Sequence, residues 1–376
     1  MTKSYSLRTS AKGTKKSEGT SELGFEFDQL EDGQSCGVDQ VVLNCGSKRI
    51  VVLPTRGMGI WRATNSGTRF GWDSPVHGPI HPMWVPISEP SGLGWLSGFD
   101  EMMVRCGLES NGAPDFSENG QLALPLHGRI ANLPASDVSV EIDEAQGRIS
   151  VRGTVRETRF HFHRLQMQTE ISIQMDSDEI TIVDRVTNLS KRPTTIQMLY
   201  HNNFGPPILE SGSQFFAPIK KLVPRNGHSA TGIETWNYYQ GPESGYSEQV
   251  YFMELNADQD NKTLVLLTNS DRSVGTSIRY DITELPCFTL WKNTVAEADG
   301  YVTGLEPGTN FPNPKSFEES QGRVVKLASG EGHTMSLKIG MLVGAENVKR
   351  ASDQIETLSV KDPQVMPQPT PDWCSP

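Results

Sequence analysis

From about residue 137 onward, apolar and polar residues alternate with a period of two. The runs DVSVEID (137–143), RISVRGTV (148–155), LQMQTEISIQM (165–175) and EITIVDRVTN (179–188) all show it. Side chains of a strand point to opposite faces in turn, so this pattern predicts half-buried antiparallel strands. DEAQG (143–147) and DSD (176–178) supply turns between them. Further strands are expected at 195–200, 215–220, 248–255, 263–268, 274–281, 287–292, 323–328 and 333–342. One stretch, AENVKRASDQIETL (345–358), reads as a helix with Val348, Ala351, Ile355 and Leu358 on one side. Strands following strands with few helices predict an all-β sandwich or barrel and disfavour a dinucleotide-binding βαβ sheet.

Residues 71–101 break the alternation. This segment is dense in Gly, Pro and Trp, including Trp72, Trp84 and Trp95. A long irregular segment inside a compact domain is often functional, and indole faces suit sugar rings. The same tryptophans serve equally as a plug beneath a loop, so the segment is either a lid or a wall. The expected organisation is a flexible tail over 1–22, one β-sandwich domain over 23–360 and a Pro-rich tail over 361–376.

Composition narrows the function classes. The 376-residue chain carries a net charge of −11, and its mean hydropathy is −0.42. An acidic chain lacks the basic footprint of a nucleic-acid groove, and no apolar run approaches the ~20 residues of a membrane helix. The N-terminus has no apolar core of a secretory signal. Five dispersed cysteines without a C-x-x-C pair fit a reducing cytoplasm better than a disulfide framework or zinc cage. A small neutral molecule is the expected partner, and a homodimer is the candidate assembly.

Four segments join a strand end to a Gly/Pro turn and offer polar groups there: PTRGMGI (54–60), LPLHGRIANLPA (124–135), LYHNNFGPPIL (199–209) and GLEPGTNFP (304–312). Exchange of sugar anomers at such a site needs a base for the anomeric hydroxyl and an acid for the ring oxygen, with no metal or cofactor. Glu306 suits the base and His201 the acid, with His127 and Arg129 available to hold hydroxyls. Lys292 and Trp291 (LWKN) end a strand that faces the same region. His161 and His163 form an H-x-H pair, which on a strand would share one face as metal ligands do. No partner motif accompanies it, and the same holds for His77 and His81, so no metal is expected. Asp100 and Glu101 are adjacent and therefore do not form a dyad.

The ordered set PTRGMGI, GWDSPV (71–76), LHGRIANLPA, LYHNNFGPP and GLEPGTNFP resembles the aldose 1-epimerase (galactose mutarotase-like) superfamily over roughly residues 46–345. The resemblance implies a large antiparallel supersandwich with a sugar pocket on its concave face. It implies His127 as a substrate-binding histidine, His201 as general acid and Glu306 as catalytic base. The superfamily's sugar-binding arginine falls on Arg56 or Arg129, and its hydroxyl-binding aspartate on Asp73. The expected activity is anomer interconversion of a free sugar or sugar derivative. A non-catalytic carbohydrate-binding protein and a same-fold sugar isomerase or lyase are the alternatives.

Overall fold

The computed structural model describes residues 2–7 and 16–376. Two large sheets dominate it. The first has nine strands, in the order Thr2–Ser6, Ala135–Asp143, Arg148–Arg159, His163–Gln174, Glu179–Asn188, Gly332–Val343, Val274–Asp281, Lys262–Thr268 and Gln214–Phe216. The second has fourteen strands and carries the site. Its central strands are β1 (Met103–Leu108), β2 (Thr194–Phe204), β3 (Gln249–Leu255), β4 (Cys287–Asn293) and β5 (Val302–Gly308). They lie in the order β1-β2-β5-β4-β3, every neighbour antiparallel. The architecture is a β-sandwich, one of the two all-β forms the strand pattern allows and the one the resemblance implies.

The core lies between the sheets. Val151, Ile171, Ile182 and Leu337 of the first sheet share one buried cluster with Leu43, Val52, Ile60, Met103 and Leu305 of the second. His163–Gln174 shows how alternation generates this, since its first eight positions alternate buried with more accessible ones. A buried charged network crosses the core. Arg105 donates to Asp184 (2.5 and 3.0 Å) and to Thr169 Oγ1 (2.9 Å), and Tyr200 donates its hydroxyl to Asp184 at 2.8 Å. These partners offset the desolvation of a buried guanidinium and carboxylate.

The central strands of the second sheet are buried on both faces, and this creates the site. On β2, Ile196, Met198 and Tyr200 join the inter-sheet core, whereas Leu199 packs outward against Trp72, Trp95 and Phe99. His201 and Asn203 share the outward face with Leu199 by the strand's period of two.

The segments expected as tails are in part ordered strands. Thr2–Ser6 pairs with Ala135–Asp143, and Lys16–Gly19 pairs with Leu23–Gln29. The remainder of the expected N-terminal tail, residues 1 and 8–15, lies outside the described residues. At the other end Gln364–Val365 pairs in parallel with Ile219–Pro224, and Trp373 is buried against Phe311. The helix forms over Ala345–Leu358, with Val348, Ala351 and Ile355 buried. No helix among the described residues is long and apolar enough to cross a membrane.

Candidate active site

The outward face of β2, β4 and β5 forms the floor of a cleft of about 370 Å³. Trp95, Phe99, Leu126 and His127 line it beside His201, Thr289, Trp291 and Glu306, and Arg225 and Glu248 also contribute. The Trp-rich segment is a wall: Trp95 and Phe99 are buried, and Trp72 packs behind Phe99 at a ring separation of 4.9 Å. Trp84 is exposed and does not line the cleft.

Strand register brings the two central groups together. Asn202 pairs with Leu305, so one step along the ladder sets His201 beside Glu306. His201 Nε2 lies 3.2 Å from Glu306 Oε1, and both side chains are almost fully buried. Gly304 makes this possible, since a Cβ there would stand 2.5 Å from Glu306 Oε1 and 3.0 Å from His201 Cε1.

The tautomer of His201 follows from its neighbours. Asn203 donates its amide N–H to the Glu101 carbonyl at 3.0 Å, so its Oδ1 is an acceptor. His201 Nδ1, 2.6 Å from that oxygen, therefore carries a proton. The cleft-facing Nε2 and the Glu306 carboxyl are left to share one further proton. Burial raises the Glu306 carboxyl well above its ordinary range, and Glu248 adds to the rise. Burial likewise lowers the His201 imidazole well below its ordinary range, helped by His127. Both shifts favour a pair holding one proton and no net charge.

His127 stands in the left-handed region at φ 57°, followed by Gly128 at φ 70°. Its Nδ1 donates to the Asn111 carbonyl at 2.8 Å, which leaves Nε2 as an acceptor. Burial brings its pKa down to about 4, so it is neutral near pH 7. Its ring meets Trp95 at 4.6 Å and His201 at 5.6 Å, edge to face in both cases. Two buried polar atoms on cleft-lining residues, Trp95 Nε1 and Thr289 Oγ1, have no partner, and Glu306 Oε1 has none beyond its approach to His201 Nε2. Such orphans are costly unless something polar meets them.

His127, His201 and Glu306 thus meet in one cleft, whereas the remaining candidates do not line it. Arg56 is fully buried and donates to Glu101 at 2.8 Å, to the Gly98 carbonyl at 2.7 Å and to Asn132. Arg129 lies in the loop after His127, and its Nε has no partner. Asp73 is exposed and paired with Arg69 at 2.6 Å. Lys292 is buried and donates to the carbonyls of Tyr238 (2.7 Å) and Thr235 (3.2 Å).

Arg225 and Glu248 line the cleft without any signal in the sequence. Their charged atoms stand 4.0 Å apart, and Glu248 accepts from Trp291 Nε1 at 2.6 Å. Phe99 and Gly304 fall within the segments 71–101 and GLEPGTNFP, but no pattern there marks either residue itself. H-x-H does not act as a unit. Residues 160–162 turn between strands, leaving His161 exposed at φ 70° while His163 is buried.

Comparison with known proteins agrees with this architecture. The model of a family described as a domain of unknown function (DUF4432) matches residues 35–341. A solved structure of a "putative aldose 1-epimerase" from Klebsiella pneumoniae is 34% identical, with a TM-score of 0.93 over 99% of each chain. A galactose mutarotase-like protein from Clostridium acetobutylicum has a TM-score of 0.59 at 13% identity, covering 86% of this chain and 100% of its own. Galactose 1-epimerase from Lactobacillus acidophilus has a TM-score of 0.55 at 12% identity, covering 86% and 99%. The latter two likenesses speak for the fold alone. No curated protein matches the sequence. With its family model spanning most of the chain, this protein belongs to the DUF4432 family and has the galactose mutarotase-like fold.

Proposed function

We propose that the chain is an aldose 1-epimerase-like enzyme that interconverts the anomers of a free sugar or sugar derivative. The observation that carries the reading is the 3.2 Å approach of His201 Nε2 to Glu306 Oε1 in a buried cleft. The two oxygens of a hemiacetal sit on one carbon, so an acid and a base that act on them must be neighbours. A pair sharing a single proton meets that need. Glu306 takes the proton of the anomeric hydroxyl while His201 Nε2 gives one to the ring oxygen, and the ring opens to the aldehyde. Rotation about the bond between C1 and C2 turns the carbonyl over. Closure then runs the same transfers backwards and restores the pair. Burial favours the proton on Glu306; the reacting tautomer has it on His201, a transfer between neighbouring atoms.

The rest of the cleft supplies binding. His127 Nε2 accepts from a sugar hydroxyl, and Trp95 Nε1 donates to one. Thr289 Oγ1 serves either way, and the Trp95 and Trp291 rings offer apolar faces to the sugar. Arg56 contributes as a positioning residue. It grips Glu101, whose carbonyl holds Asn203, which in turn holds His201.

The test is anomer exchange by polarimetry on a panel of freshly dissolved aldoses and their derivatives. Saturable acceleration with at least one sugar is expected. Tight binding of a sugar with no acceleration of any would establish the carbohydrate-binding alternative instead.

A further inference from the structure

The cleft leaves one buried cluster of ionisable groups unexplained. Glu109 follows β1, Glu157 lies on Arg148–Arg159 and His163 opens the next strand. One potential ligand atom from each lies within 4.8 Å of the other two. None of the three lines the cleft.

The spacing within the cluster is unusual. His163 Nε2 stands 3.5 Å from Glu157 Oε1, and Nδ1 stands 3.6 Å from Glu109 Oε1. An imidazolium bridging two carboxylates would draw them to about 2.7–2.9 Å. An imidazole offers one ion a single nitrogen; Nε2 and Glu157 Oε1, 3.5 Å apart, stand near the ~3.3 Å between ligands of a tetrahedral ion with bonds of ~2.0–2.1 Å, and one atom of each of the three residues lies within 4.8 Å of the others. A second observation is independent of the spacing. His163 Nε2 and Glu109 Oε2 are buried without a hydrogen-bond partner, on an imidazole only 6% exposed. Glu157 is already fixed, since its oxygens accept the N–H groups of Leu108 (3.0 Å) and Glu109 (2.9 Å). Each carboxylate oxygen retains a lone pair for a further partner.

We propose that Glu109, Glu157 and His163 form a binding site for one divalent transition cation of the zinc type, separate from the sugar cleft. One neutral imidazole and two carboxylates bring a charge of −2, which cancels that of the ion. A mixed nitrogen and oxygen set of three, with room for water, suits zinc. Glu109, whose side chain is 18% exposed, gives the site its approach from solvent. The bound ion would tie the turn end of the hairpin between Arg148–Arg159 and His163–Gln174 to the 107–111 segment. That segment holds His127, through the His127 carbonyl on Gly107 N–H and His127 Nδ1 on the Asn111 carbonyl. The site is independent of the chemistry proposed for the cleft.

The test uses the full chain, stripped with a chelator and titrated with zinc chloride against a chromogenic competitor. X-ray absorption at the zinc edge follows on the loaded protein. Uptake of about one equivalent is expected, with a nitrogen and oxygen shell containing a single imidazole. Glu109→Gln, a near-isosteric change at the least buried member, is expected to weaken binding by about 100-fold or more. No uptake by the wild type, or unchanged affinity in Glu109→Gln, would overturn the proposal. So would a shell with two imidazoles, which would place the ion on His127 and His201. The absorption result decides the matter even if the variant does not fold.

Discussion

His201 Nε2 stands 3.2 Å from Glu306 Oε1, while the opposite nitrogen of the same ring is held at 2.6 Å by Asn203. The second contact gives the first its chemistry, because a ring with Nδ1 already protonated presents to Glu306 a nitrogen that can take or give a proton. Asn203→Leu removes the acceptor and frees the ring to change tautomer. A loss of about 10²-fold or more in kcat is expected, as where an orienting partner of a catalytic histidine is removed. Asn203→Asp restores an acceptor and adds a negative charge, which raises the imidazole pKa. It should recover part of the activity, with the acid limb of the pH–rate profile moved upward. An unmoved limb would contradict this role.

Gly304 is the residue that lets the pair exist. Gly304→Ala places a methyl group 2.5 Å from Glu306 Oε1, and the carboxylate must turn away. Displacements of this size at reacting groups cost about 10²-fold. The expected outcome is a kcat loss of that order, with a melting temperature within a few degrees of wild type. Full activity in a folded Gly304→Ala protein would show that the carboxylate has no fixed task.

His127 makes a prediction about stability rather than rate. Its pKa falls from 6.5 in the unfolded chain to about 4 in the fold. Between those values the unfolded state binds a proton that the folded state refuses, so stability falls as pH drops from about 6.5 toward 4. Melting temperatures over this range should converge between wild type and His127→Gln as the pH is lowered. A constant difference would contradict a buried, neutral His127.

Lys292 separates structural from catalytic importance. Its ammonium group bonds two carbonyls away from the cleft, and burial brings its pKa down to about 8. Lys292→Met should destabilise the protein by about 1–3 kcal/mol, because two carbonyls lose their donor. kcat and KM should stay within about twofold. Between pH 8 and 10.5 the unfolded chain holds the proton that the folded lysine lacks, so wild type should gain stability relative to the variant as pH rises. A tenfold loss of kcat at unchanged stability would place Lys292 in the chemistry instead.

These residues also show what the sequence made legible. The strands between 137 and 188 were readable because they alternate, and Glu179–Asn188 and Ala345–Leu358 fall where the pattern puts them, whereas Val302–Gly308, buried along its whole length, was not foreseen as a strand. Asp39–Cys45 and Lys48–Leu53 were missed because VVL and IVVL are continuous apolar runs, which carry no period. His127, His201 and Glu306 stood out because each sits in a short motif beside a Gly/Pro turn, although His201 and Glu306 lie inside their strands and not at the ends. The roles of Arg56 and Lys292 depend on which carbonyls and carboxylates distant segments bring to them, and no local pattern encodes that. Glu248 and Arg225 reach the cleft from separate segments for the same reason. His163 was visible only as half of H-x-H, whereas its actual neighbours come from positions 109 and 157.

The central claim is that Glu306 and His201 exchange a proton with the two oxygens of a hemiacetal. Saturation-transfer NMR on an accepted aldose measures anomer exchange directly, comparing wild type with Glu306→Gln, which keeps the shape of the side chain and cannot take a proton. The account predicts exchange slowed by about 10²–10⁴-fold with sugar affinity little changed. Exchange at the wild-type rate in a folded Glu306→Gln protein would contradict it.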